Sequence, residues 1–146
     1  MMWITRQRPK IDRIACPWLI ARFIDPVAEF LYVPAGDVMK LAAATGATPF
    51  DVPCVELGHH GDRCSFDAFL EKYDLRDPVL AKLAVIVRAA DCDQLSLAPE
   101  AAGLLAISKG LSQVFVDDHE MLGHGRVIYD ALYAWCATQL AADPAG

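Results

Sequence analysis

The sequence predicts an α+β fold, a predominantly helical single domain with a small amino-terminal sheet. Three observations predict it. Short runs rich in aromatic and β-branched residues fall in the first third of the chain. From Ser65 onward, apolar residues recur at helical spacing in four successive capped segments. At 146 residues, with 55% hydrophobic content, 9 Gly and 9 Pro, the chain suits one globular core spanning residues 1–146. It contains no internal repeat and no low-complexity tract.

Taken in order, Trp3 to Thr5 reads as an edge of strand leading into an opening helix. That helix carries Ile11, Ile14, Ala15, Trp18, Leu19 and Phe23 on one face and is closed by Asp25-Pro26. Pro17 lacks an N–H and biases Cys16 away from helical angles, so the helix starts at Pro17 or is kinked there. A start at Pro17 places Cys16 at a helix N-terminus, where a thiolate is favoured. Glu29 to Val33 (EFLYV) is a strand bounded by Pro34 and Gly36. Asp37 to Ala44 is a short helix with Asp37 as N-cap and Gly46 as its stop. Thr48 to Val52 reads as a third short strand, followed by a glycine-punctuated polar loop from Pro53 to Cys64.

The remainder reads as helix. Ser65 opens a segment with Phe66, Phe69, Leu70 and Tyr73 on one face. Asp77-Pro78 caps the central core helix, which runs through Leu80, Leu83, Ala84, Ile86 and Val87 to Asp91. Pro99 opens another that ends near Phe115. Asp117-Asp118 caps the last, whose expected buried face is Met121, Ile128, Leu132 and Trp135, with Gly123 and Gly125 as breaks in its first turns. Ala141 to Gly146 reads as a loose tail.

Composition excludes several function classes. A net charge of −6 argues against a general nucleic-acid binder, although Arg6, Arg8, Lys10 and Arg13 form a local positive cluster that suits a small anion. No apolar run approaches the ~18 residues of a membrane span, and the first ten residues lack the pattern of a secretory signal, so a cytoplasmic location is expected. The 5 cysteines are odd in number, widely spaced and without a C-x-x-C pair, which predicts reduced thiols instead of a disulfide framework.

Two stretches carry candidate chemistry. Arg6 and Arg13 stand at the start of a buried element, where guanidinium groups hold anions or carboxylates; with Cys16 they form a candidate anion site. The bland alternative is a pair of structural salt bridges beside a core thiol. Glu56, His59 and His60, in the segment ELGHHG, are ligand types used by divalent transition metals, and Asp91 or Asp93 at the end of the core helix supplies a further oxygen. Adjacent histidines point apart in regular backbone; the flanking Gly58 and Gly61 leave room for both to face one ion, and the favoured reading is that one ligates and the other supports. His119 and His124, five apart, are out of line on a helix and read as surface residues. Cys64 or Cys16 with a histidine base is a conceivable nucleophile. No nucleophile elbow, phosphate loop or dinucleotide fingerprint is present.

Several longer motifs resemble a known family. WITR at Trp3 to Arg6, IDRIACPWLIARFIDP at Ile11 to Pro26, PFD at Pro49 to Asp51, ELGHHG at Glu56 to Gly61 and CSF at Cys64 to Phe66 are similar to the carboxy-terminal domain of the chromate-resistance protein ChrB. The likeness extends to Val87–Asp91 and to YDALY at Tyr129 to Tyr133, covering nearly the whole chain. It implies a part in bacterial chromate resistance, where the full-length protein acts as a chromate-responsive regulator beside an efflux transporter. The regulator-like amino-terminal half has no counterpart here, so nucleic acid is not an expected partner. Within the family pattern, Arg6, Arg13 and His60 stand out, with Glu56, His59 and Asp91 close behind. The expected partners are a small oxyanion such as chromate and a divalent transition metal, and a homodimer is the default assembly. Three classes of function follow: a ligand- or metal-binding sensor, a small metalloenzyme acting on an oxyanion or reactive oxygen species, and an interaction module.

Overall fold

Three consecutive residues of strand β1 (Met2–Arg6), Trp3, Ile4 and Thr5, are fully buried. A strand covered on both faces belongs inside a sheet, and the computed structural model, which describes residues 1–142, places β1 in the middle instead of at an edge. The sheet is parallel with order β2-β1-β3, where β2 is Glu29–Val33 and β3 is Thr48–Pro49. Helix α1 (Asp12–Leu19) connects β1 to β2, and helix α2 (Val38–Thr45) connects β2 to β3. Gly46 closes α2 in the left-handed region (φ 77°) and donates its N–H to the Ala42 carbonyl at 2.9 Å. The third strand is shorter than its sequence suggests. Phe50 still bonds Ile4, but Asp51 turns left-handed (φ 52°) and gives its N–H to Leu57, so the ladder stops.

Two apolar layers sandwich the sheet. Ile4, Val38, Ala42, Ala47 and Val52 pack on the α2 side. On the other side Trp3, Phe30 and Phe50 meet the main core, formed with α1 and four further helices: α3 (Ser65–Lys72), α4 (Pro78–Asp91), α5 (Ala101–Val114) and α6 (Asp118–Ala142). Asp77 caps α4 by accepting the Val79 N–H at 2.8 Å. Helix α1 begins at Asp12 and continues through Pro17 into a wider, π-type turn at Ile20–Ile24. Pro17 has no N–H for the Arg13 carbonyl, and the Tyr32 hydroxyl donates to that carbonyl at 3.4 Å instead. Cys16 therefore lies inside a helix, wholly buried, and not at a helix N-terminus.

Neither Gly123 nor Gly125 breaks α6. Gly125 has a packing role: a Cβ there would come within 2.5 Å of Ile14 Cγ2, so the bare backbone lets α6 approach α1 closely. The buried residues of α6 are Met121, Leu122, Gly125, Tyr129 and Cys136, with Ile128 and Leu132 packed at the margin and Trp135 largely outside. Ala141 and Ala142 belong to α6, and the rest of the expected tail, 143–146, lies outside the described residues. Among the described residues no helix is long and apolar enough to cross a membrane.

Candidate metal centre

In a parallel sheet the crevice outside the carboxyl ends of the strands is where ligands bind. Arg6 ends β1, Asp12 opens α1 after β1, and Asp51 follows β3 directly. The loop from Pro53 to Cys64 brings His59 over this crevice, and Asp91, the last residue of α4, reaches it from behind.

These residues converge on one imidazole nitrogen. His59 Nε2 lies 2.8 Å from Asp91 Oδ2, 3.3 Å from Asp51 Oδ1 and 3.4 Å from Asp12 Oδ2. Ligand atoms of all four residues lie within 4.8 Å of one another. Adjacent ligands around a cation with bonds near 2.1 Å are separated by about 3 Å, so this spacing matches a coordination shell. Three carboxylate oxygens and one imidazole form a hard to borderline donor set that suits Mn²⁺, Fe²⁺ or Zn²⁺.

Each ligand is held from outside. Asp12 is wholly buried and accepts the N–H groups of Ser65 at 2.7 Å and Phe66 at 3.3 Å, so it also caps helix α3. Its own position is fixed by Ile11, whose carbonyl accepts from the Tyr129 hydroxyl at 3.2 Å and whose φ of 32° is unusual for a β-branched residue. Asp51 Oδ1 accepts the Ser65 hydroxyl at 2.7 Å. Two guanidinium groups stand behind Asp51: Arg6 Nη2 donates to its backbone carbonyl at 3.1 Å, and Arg6 Nη2 and Arg13 Nε each lie 3.5 Å from Oδ2. The Arg13 contact is an ion pair without hydrogen-bond alignment, and both Nε atoms are buried with no hydrogen-bond partner.

The crowding shifts the titration of the cluster. Hydrogen bonds to Asp12 and Asp51 raise His59 to about 11. Burial, opposed by the His59 hydrogen bond, raises Asp12 to about 7. Asp91 is raised by burial and by the Asp51 charge, and Arg13 is lowered by burial and by Arg6. An open cleft of about 400 Å³ reaches the cluster, lined by Arg6, Asp51, Val52, Pro53, Cys54 and His59.

Of the residues singled out from the sequence, Arg6, Arg13, His59 and Asp91 meet here. Glu56 and His60 do not: the Glu56 carboxylate pairs with Lys72 at 2.9 Å on the surface, and His60 Nε2 contacts the Glu56 carbonyl at 2.8 Å. Asp93 is absent from the cluster. The thiols of Cys16 and Cys64 are pushed far up by burial, which removes both as ready nucleophiles. The positive cluster divides, because Arg8 turns away to bind Asp118 at 2.8 Å and the Phe115 carbonyl at 2.9 Å. His119 packs edge-on against Tyr32, and His124 stacks on Phe115. Sequence reasoning assigned no role to Asp12 or Asp51. Both lie within the motifs IDR and PFD that carry the family resemblance, and that placement was the available signal.

Residues 3–136 match the family model described as ChrB, C-terminal domain. The chain is 36% identical over 132 residues to "Protein ChrB" of Cupriavidus metallidurans, an alignment covering 90% of this chain and 39% of that protein. No solved structure matches. A family match over nearly the whole length, joined by that identity, makes this chain a member of the ChrB C-terminal domain family.

Proposed function

We propose that the domain is a metal-dependent oxyanion-binding module of chromate resistance. A divalent cation sits among Asp12, Asp51, Asp91 and His59, and a small tetrahedral oxyanion of the chromate class docks in the adjoining cleft against Arg6, with Arg13 adding charge from behind Asp51. The observation that carries this reading is the convergence of three carboxylates on His59 Nε2 at 2.8 to 3.4 Å. Charge supports the anion half. Three carboxylates carry −3, a divalent cation +2 and two guanidiniums +2, leaving a local excess of +1 in an otherwise acidic protein. Paired planar donors suit an oxyanion, and the half-buried Arg6 guanidinium lines the cleft.

The role that fits such a module is sensing, in which anion and metal together shift a conformation or an assembly. The open cleft beside the cluster also supports a catalytic reading, since catalytic metals keep a coordination position for water or substrate. The test is a thermal-shift titration of metal-loaded and chelated protein with chromate and sulfate, alongside Arg6→Ala. A saturable shift that needs metal and is lost in Arg6→Ala supports the module. No shift in loaded protein contradicts it. Turnover of the anion in the loaded protein selects the catalytic version.

A further inference from the structure

His59 has a second ring nitrogen, and it faces a thiol. Cys92, the residue that follows α4 next to Asp91, places Sγ 3.8 Å from His59 Nδ1. His59, Asp91 and Cys92 have ligand atoms mutually within 4.8 Å, forming a group separate from the three-carboxylate set but sharing two of its residues. In a tetrahedral zinc-type site, with Zn–S near 2.3 Å and Zn–N near 2.0–2.1 Å, the sulfur and nitrogen lie about 3.6 Å apart. The observed separation is close to that value. Cys92 is half-buried, so an ion and its water can reach it, unlike Cys16 and Cys64.

We propose that Cys92, His59 and Asp91 form an alternative, thiolate-containing metal set that takes a borderline-soft divalent cation such as Zn²⁺ or Co²⁺. The inference rests on the reading of this cluster as a metal centre and adds its selectivity. A hard cation such as Mn²⁺ uses the three carboxylates and one imidazole nitrogen. A softer cation shifts toward Cys92, because thiolate ligands favour softer metals. Since both sets need His59 and Asp91, one ion occupies one or the other. When the metal binds, the thiol proton and the proton on the ligating His59 nitrogen pass to solvent, and no electron is transferred.

The experiment uses the full chain loaded with Co²⁺, whose thiolate complexes show a sulfur-to-cobalt charge-transfer absorption in the near ultraviolet. Bound metal is counted by elemental analysis in parallel. The expected result is the absorption in the wild type, its loss in Cys92→Ser, a Co²⁺ affinity at least about tenfold weaker in Cys92→Ser, and unchanged Mn²⁺ affinity in that variant. Bound Co²⁺ without the absorption, or an absorption that survives Cys92→Ser, overturns the thiolate set and leaves the carboxylate centre standing. Failure to bind either cation overturns both.

Discussion

His59 and His60 are neighbours in the chain and opposites in the fold. His59 turns inward, with one nitrogen facing three carboxylates and the other a thiol. His60 turns outward over a separate cleft lined by Glu56, Arg63, Cys64, Ala68, Glu71 and Lys72. The difference lies in what surrounds each ring. On the inner side, buried and half-buried acids come from three distant parts of the chain and have lost most of their water. On the outer side, Glu56 and Lys72 pair in solvent, where ion pairs contribute little. Two identical side chains thus separate into a candidate ligand and a surface residue through packing alone. The burial of the acids around His59 is costly, and Arg6, Arg13 and the protonated imidazole offset it in the metal-free protein.

The largest contrast is expected in metal affinity. His59→Ala or Asp91→Asn removes a donor from the set and should lower Mn²⁺ affinity by about a hundredfold or more, read by calorimetric titration. His60→Ala and Glu56→Gln should leave it within about twofold. If the outer pair mattered as much as the inner one, the two clefts would have to act as one site.

Stability provides the next contrast. Asp12→Ala leaves the buried N–H groups of Ser65 and Phe66 without an acceptor and should cost about 2 kcal/mol in denaturant unfolding. Asp62→Ala, on the exposed part of the 53–64 loop that leads into α3, should leave the midpoint unchanged within error. An equally large loss at both positions would mean that the loop is held as a whole and not through the Asp12 cap.

The pH dependence follows from the direction of the shifts. In the metal-free protein His59 is raised to about 11 from 6.5, and Asp12 to about 7 from 3.8. Both raised values mean that the folded state holds protons that the unfolded chain releases, so stability falls as pH rises. Asp12 contributes between about pH 4 and 7, and His59 between about pH 6.5 and 11. In chelator, the unfolding midpoint should drop from about pH 6 to about pH 9 in the wild type and in His60→Gln, with a flatter profile in His59→Gln. A stability that rises over this range would contradict the protonated cluster. Metal affinity should climb over the same range, because the cation replaces the His59 proton.

The fold was legible where local chemistry decides it. The EFLYV strand, the Asp77-Pro78 start of α4 and the Gly46 stop of α2 all follow from turn residues and periodicity. The central position of β1 was not legible, because it depends on which strands come to flank it. In the same way Pro17 left two readings open, a helix starting there or one kinked there, and the Tyr32 hydroxyl that satisfies the freed carbonyl lies 19 residues away. The site divides along the same line. Histidines between glycines advertise themselves, whereas Asp12 and Asp51 look like ordinary surface acids until a contact 53 residues distant buries one of them and a left-handed turn aims the other. The family pattern put His60 ahead of His59, and the cluster forms on His59 instead, since the choice rests on which way the loop backbone faces.

The most direct test of the centre is a paired measurement of metal content. Wild type, His59→Ala and His60→Ala are equilibrated with Mn²⁺, freed of excess and analysed by inductively coupled plasma mass spectrometry, with circular dichroism confirming that each is folded. The inner-ligand account predicts about one ion per chain in the wild type and His60→Ala, and essentially none in His59→Ala. Metal retained in a folded His59→Ala protein, or lost from His60→Ala instead, would contradict it.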